Sequence, residues 1–363
     1  MQDMFPDTSP IDPNARRGRG ATDNRAGRFE PHTRTRTDDG WTPEPDTPHR
    51  THILHDAART IITRNTSPDV PFDRSINPYK GCEHGCIYCF ARPTHEFLGL
   101  SAGLDFETRI FTKEDAPEML DRELRRPSYR VKPIALGTNT DPYQPIEKEL
   151  QIMRRILQVL EAHRHPVTIV TKAGLITRDV DILKRMASLG LAQVGISVTT
   201  LDSTLSRRME PRCAAPQVRL RAIKTLASAG VPTSVLVSPV IPALNDHEIE
   251  AILAAAAKAG AISASSVALR LPGAVAPLFK AWLKEAYPAR AKRILRYVRE
   301  MHGGQDYDPE FGKRMTGSGV YANLLRRRFD AARKREGLAE RQLALDCSLF
   351  SPPPKSGDQL SLF

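Results

Sequence analysis

The chain has 363 residues, 40% of them hydrophobic, with five cysteines, 29 prolines and a formal net charge of +11. That length and apolar content fit one large domain with extensions, or two ordinary domains, and the prolines indicate much loop sequence. The opening residues hold no apolar run of the signal-peptide kind, and no stretch approaches the roughly 20 apolar residues of a membrane span, so a soluble cytoplasmic protein with no membrane partner is expected.

Residues 1–50 carry eight Arg against nine acidic residues with few aliphatics, which predicts a disordered arm. From about residue 74 short β-branched or aliphatic runs alternate with amphipathic stretches. "RSINPYKG" (74–81) reads as a first strand, "KPIALGTNT" (132–140) as a second and "PIEKELQIMRRILQVLEAHR" (145–164) as a helix. "VTIVTK" (167–172) is a strand, and "RDVDILKRMASLG" (178–190) a helix closed by Gly190. "AQVGISVTT" (192–200) and "APQVRLRAIKTLASAG" (215–230) repeat the pair, with Gly230 as the stop. "TSVLVSPV" (233–240) is followed by a helix over 245–260, for which Asn245 or Asp246 suits the N-cap, and "SSVALRL" (265–271) completes the series.

This alternation predicts an α/β fold with a parallel sheet and right-handed crossovers, either doubly wound or a full or partial β/α barrel. Both place ligands at the C-terminal ends of the strands. A core barrel is expected over 70–290, a basic helical extension over 291–340 and a flexible tail over 341–363. Residues 288–336 hold thirteen Lys or Arg against six acidic residues, including "RRRFDAARKRE" (326–336), the charge pattern of a polyanion-binding face or of a solvated helix.

Three of the five cysteines crowd into "INPYKGCEHGCIYCF" (76–90), and Cys213 and Cys347 stand alone. In a reducing compartment this is no disulfide framework and reads as metal binding. Cys82, Cys86 and Cys89 with His84 or His95 can make a tetrahedral zinc site, although no second Cys pair follows. Three thiolates can equally hold three irons of a 4Fe–4S cluster, leaving one iron open to a non-protein ligand.

The Cys-x-x-x-Cys-x-x-Cys spacing, with Tyr88 before the last cysteine, resembles the radical S-adenosylmethionine (radical SAM) superfamily, and the strand–helix series resembles its partial (β/α)6 barrel. "INPYKGCEHGCIYCFARPTHEFLG", "GTNTDPYQPIEKEL" and "SPVIPALNDHE" resemble the branch that contains spore photoproduct lyase and related DNA repair photolyases, over roughly residues 70–290. "GRGA" (18–21) and "GRFE" (27–30) precede the barrel in similar uncharacterised bacterial members.

The resemblance implies a 4Fe–4S cluster on Cys82, Cys86 and Cys89, with S-adenosylmethionine (SAM) chelating the open iron. SAM is then cleaved reductively to a 5′-deoxyadenosyl radical, with electrons from a donor such as flavodoxin or ferredoxin. It further implies SAM contacts from strand ends. Thr138, Asn139 and Asp141 are expected at the amino group, and Lys172 or Arg219 at the carboxylate. Ser197 and Thr199 are expected at the ribose, and Tyr88 near the adenine. Spore lyases carry a further cysteine between the cluster motif and the second strand, which returns a hydrogen atom to the thymine radical. Residues 90–131 contain none, so Cys213 is the hydrogen-donor candidate.

The chain ends in "SPPPKSGDQLSLF". Gln359, Leu360, Ser361, Leu362 and Phe363 resemble the pentapeptide with which polymerases and repair proteins bind the bacterial sliding clamp, here on a Pro- and Gly-containing tether. The alternative is a tail folded onto its own domain, with "LDCSLF" (345–350) doing the same. Cluster, basic block and tail together lead to an expectation of radical chemistry on DNA, with repair or base modification as the outcome. Modification of RNA or a peptide, or a non-enzymatic metal-stabilised DNA- or clamp-binding protein, are the alternatives.

Overall fold

The computed structural model describes residues 18–30, 49–340 and 343–354. Among these, ten strands form two sheets: β1 (His52–His55), β2 (Thr63–Arg64), β3 (Arg74–Ile76), β4 (Tyr79–Lys80), β5 (Arg109–Thr112), β6 (Ile134–Leu136), β7 (Val167–Thr171), β8 (Ala192–Ser197), β9 (Thr233–Val240) and β10 (Ser263–Ala268). The larger sheet has the order β10-β9-β8-β7-β6-β3-β2, parallel throughout except for the antiparallel edge pair β2–β3. Six parallel strands in chain order, each followed by a helical crossover, make the partial (β/α)6 barrel expected from the alternation. The smaller sheet, β1-β5-β4, stands beside its first strand.

Burial explains why the runs read as strands. Every residue of β8 is buried, as a parallel strand covered on both faces requires. Helix Ile152–Ala162 turns Ile152, Met153, Ile156, Leu157 and Leu160 inward, one stripe of helical period. Gly190 and Gly230 end their helices in the left-handed region, at φ 69° and 81°.

Two local expectations are corrected. The helix expected over 145–164 is two, Glu147–Leu150 and Ile152–Ala162, broken at Gln151 with φ 49°. The cause is Glu147, whose buried carboxylate turns back to accept the Met153 amide at 3.1 Å and the Arg178 guanidinium at 2.7 Å. Neither Asn245 nor Asp246 caps the helix that follows β9; it begins at Ile249 after a short 3-10 turn. Asn245 instead accepts the Ile241 amide and donates to the carbonyls of Thr199 and Pro239, bracing the loop between β9 and the helix.

Described segments near both ends of the chain return to the barrel. Residues 18–30, within the stretch read as an arm, pack behind the cysteine loop; the rest of 1–48 lies outside the described residues. Residues 343–354, within the expected flexible tail, cross the N-terminal end of the barrel. The Asp346 amide donates to the Gly190 carbonyl, the Ser351 amide to that of His163, and Phe350 packs among Tyr129, His163 and His165. Gln359–Phe363 lie outside the described residues. Helices Pro288–Met301 and Gly319–Arg335 pack on each other, and the second also covers helix Ile249–Lys258. Among the described residues no helix is long and apolar enough to cross a membrane.

Candidate active site

The C-terminal ends of β6 to β10 and the cysteine loop converge on one cavity of about 270 Å³. In a flat sheet β6 and β10 would lie about 19 Å apart at the usual strand spacing, so only a curled sheet brings them to one pocket. Gly137, at φ 79°, makes the turn out of β6; a Cβ there would come within 2.1 Å of the Val170 carbonyl oxygen.

The loop that carries the cysteines follows β4. Gly81 and Gly85 take φ of 81° and 65°, and the Cys82 amide donates to Phe106. The Glu83 amide is held by the Gln144 side chain at 2.8 Å, which ties the loop to the "DPYQP" segment. Beneath it lies Arg92, fully buried, donating to the carbonyls of Gly85, Cys86, Ala102 and Gly103. Its charge is met by Glu107 at 2.5 Å. The same carboxylate accepts the amides of Gly20 and Ala21 at 2.8 and 2.7 Å, and Arg19 donates to the Glu107 carbonyl. Gly20 is pressed against the cysteine loop, since a Cβ there would meet the Gly85 carbonyl oxygen at 1.9 Å. The "GRGA" segment is thus part of the loop's support.

Cys82, Cys86 and Cys89 all line the cavity. Among the described residues no three His, Cys, Asp or Glu side chains converge on a single-ion position. His84 borders the cavity with Nδ1 3.4 Å from Asp141, and His95 is buried behind the loop with Nε2 bonded to the Arg109 carbonyl. Neither histidine completes a Cys3His set. Three thiols on one wall, facing a cavity with cationic and polar groups opposite, suit an iron–sulfur cluster carrying a further ligand.

Of the residues expected around SAM, Tyr88, Thr138, Asn139, Asp141, Lys172 and Ser197 line the cavity. Thr138 and Asn139 are positioned by Asn77, which donates to the Thr138 hydroxyl and accepts the Asn139 amide. Asp141 accepts the Thr171 hydroxyl at 2.6 Å and the Lys172 amide at 2.7 Å, so it ties β6 to β7 and orients Lys172. Burial opposes its charge, but His84, Thr171 and the Lys172 amide outweigh that and hold its pKa down at about 2. The Lys172 ammonium lies 5.9 Å from the Tyr88 ring centre. Burial disfavours its charge too, yet Cys86, Glu210 and Cys213 around it raise its pKa.

Three expectations fall away from the cavity. Arg219 is buried against Glu210 and donates to the carbonyls of Ala214 and Ser197, so it braces the end of β8 rather than meeting a carboxylate ligand. Thr199 donates to the same Glu210 at 2.7 Å, as does the Tyr88 hydroxyl, which leaves only the Tyr88 ring for the cavity. Cys213 is not among the lining residues. Its sulfur sits 3.6 Å from that of Cys86, and burial raises its pKa. A hydrogen donor at that position would act from beside a cluster cysteine rather than from the cavity lining itself. Glu210, the anion that gathers Tyr88, Thr199 and Arg219, and Glu107 have no sequence signal, and Arg92 lies within the motif quoted around the cysteines without being singled out.

Residues 76–256 match the model of the radical SAM superfamily. The uncharacterised protein Rv2578c of Mycobacterium tuberculosis is 38% identical over 242 residues, covering 66% of this chain and 70% of the relative. The uncharacterised protein MJ0683 of Methanocaldococcus jannaschii is 30% identical over 174 residues, 48% of this chain and 62% of the relative. In fold, the chain is similar to spore photoproduct lyase. A variant solved with bound AdoMet and dinucleoside spore photoproduct superposes with a TM-score of 0.58 at 15% identity, over 79% of this chain and 80% of the other.

Proposed function

The chain belongs to the radical SAM superfamily, and from that premise we propose that it is a nucleic-acid-modifying member acting on DNA, in repair or base modification. It is an enzyme whose cofactors are a 4Fe–4S cluster and SAM, which when bound supply a 5′-deoxyadenosyl radical for hydrogen abstraction. In this reading Cys82, Cys86 and Cys89 hold the cluster. Lys172 presents a cation at the cysteine wall for the SAM carboxylate, and Thr138, Asn139 and Ser197 offer polar atoms along the strand ends. Glu210 fixes Tyr88 and the end of β8, and the curled sheet walls the reacting space from water.

The observation that carries the choice of nucleic acid is the charge on two neighbouring helices. Helices Pro288–Met301 and Gly319–Arg335 together bear eleven Lys or Arg against two acidic residues. Lys292, Arg293, Arg296, Arg327 and Lys334 are exposed and make no ion pair among the described residues. A merely solvated helix face gains nothing from leaving so many like charges unpaired, whereas a phosphate backbone supplies the missing anions. The solved lyase of this fold holds a dinucleoside, which supports a nucleotide as the first substrate class to try.

Binding of duplex and single-stranded DNA by the reconstituted protein tests the reading. Affinity should fall steeply between about 50 and 200 mM salt, as release of several counterions demands. Absent or salt-insensitive binding contradicts it. The pentapeptide Gln359–Phe363 extends the proposal to delivery by the sliding clamp; deleting it should abolish clamp binding, and unchanged binding removes that part.

A further inference from the structure

One charged group that lines the cavity is given no part in holding the cofactors by the reading above. Arg270 follows β10 and reaches the cavity from the wall opposite β6. Its guanidinium lies 4.9 Å from the ring centre of Phe90, the residue after the last cysteine, whose side chain is 43% exposed. Nη1 donates to the Met315 sulfur at 3.2 Å, and that is its one protein hydrogen bond among the described residues. Nε is buried without an acceptor, and Nη2 has none either. Asp69, on the loop leading to the lining residues Val70 and Phe72, is taken by Arg314 and by the Gly312 amide.

Nη2 is free of protein acceptors and can meet an oxyanion as the side chain stands, and a small rotation that brought the buried Nε to the same anion would make the contact bidentate and relieve an unpaired buried donor, which costs about 1–3 kcal/mol. An arginine held in that state beside an open cavity is set for an anion from outside. The SAM carboxylate is the less suitable occupant, because the cysteine wall already has Lys172 for it, next to Cys86 and Tyr88. Phe90 adds the second half of the recognition. Its exposed ring is a stacking surface for a planar group, and nucleobases stack on such rings whatever their sequence.

Resting on the nucleic-acid reading above, we infer that Phe90 and Arg270 form a nucleotide subsite at the cavity mouth, in which Phe90 stacks on a base freed from its partner strand and Arg270 takes the adjoining phosphate. A base still paired within a duplex has no free face to offer a ring at the rim of a pocket, so the subsite selects single-stranded or extruded nucleotides.

The test titrates the anaerobically reconstituted full chain against a fluorescein-labelled oligothymidylate by anisotropy, with SAM affinity measured in parallel by equilibrium dialysis. Arg270→Gln and Phe90→Leu should each weaken oligothymidylate binding roughly tenfold, with cluster absorbance intact and SAM affinity within about twofold of wild type. The exposed position of Phe90 keeps the test open if Arg270→Gln misfolds. A double Arg327→Gln, Lys334→Gln variant on the basic helices serves as the reference for backbone binding. If it weakens binding while the Arg270 and Phe90 variants do not, the subsite is wrong and the nucleic-acid reading stands. If Arg270→Gln loses SAM affinity and keeps the oligothymidylate, Arg270 serves the cofactor and the subsite is again wrong. If wild type binds only duplex, the subsite falls alone. If it binds no nucleic acid, the broader reading falls with it.

Discussion

Arg92 and Glu107 meet at 2.5 Å with neither side chain exposed, and this pair joins the cysteine loop to the N-terminal segment. Arg92 holds the Gly85 and Cys86 carbonyls, while Glu107 holds the Gly20 and Ala21 amides. Removing one partner of such a buried pair leaves an uncompensated charge, which costs about 3–5 kcal/mol. Glu107→Ala should therefore lower the melting temperature and reduce the iron retained after anaerobic reconstitution. Removing residues 1–30 should produce the same iron defect, because it strips the amides from Glu107. Full iron content in both proteins would refute this account of the support.

Cys213 and the three motif cysteines should separate cleanly. Replacing Cys82, Cys86 or Cys89 by Ala should abolish the iron–sulfur absorbance and SAM cleavage. Cys213→Ser should retain iron and still yield 5′-deoxyadenosine, since its sulfur stands beside Cys86 but is not part of the cavity lining. Loss of iron in Cys213→Ser would make it a cluster ligand.

Lys172 is the cation assigned to the SAM carboxylate. Lys172→Met should weaken SAM binding about tenfold, the value of one charge-assisted hydrogen bond, and Lys172→Arg should restore part of it. Equilibrium dialysis with the reconstituted protein reads this directly. Unchanged affinity in the Met variant would mean that the carboxylate is held elsewhere.

His165 gives a pH-dependent prediction at the opposite end of the barrel. Its Nδ1–H donates to the Pro166 carbonyl, so Nε2 accepts from the Tyr129 hydroxyl at 2.7 Å. Burial dominates the opposing backbone hydrogen bond and lowers its pKa from 6.5 to about 4. Between those values the unfolded chain binds the extra proton and the folded chain does not. Stability therefore falls as pH is lowered from 6.5 to about 4, then levels off, by up to about 3 kcal/mol. Replacing His165 with Gln should flatten the change in melting temperature across that window. An unaltered pH slope would show that another group sets it.

The sequence was most legible where a residue's role is local. Strand β9 runs from Thr233 to Val240, as its apolar run indicates, and Gly190 and Gly230 stop their helices. The cysteine spacing located the site, because ligands on one loop carry their geometry in their numbering. Contacts between distant segments were not legible. Arg219 stands at the right point of the chain to reach a strand end, yet its charge goes to Glu210, a pairing that only the packed fold determines. The polar composition of residues 18–30 suggested an arm, but Gly20 and Ala21 offer amides to a carboxylate 86 or more positions away. In "LDCSLF" the apolar residues signalled docking without naming the surface, which the Tyr129, His163 and His165 rings supply.

The central claim is that this cavity directs a 5′-deoxyadenosyl radical at a nucleotide. Its most direct test incubates the reconstituted, reduced enzyme with SAM and deuterated oligonucleotides, undamaged and ultraviolet-damaged, and follows deuterium by mass spectrometry. The account predicts 5′-deoxyadenosine that carries deuterium from the oligonucleotide. Formation of 5′-deoxyadenosine without deuterium from any oligonucleotide, alongside transfer from a labelled peptide, would contradict it.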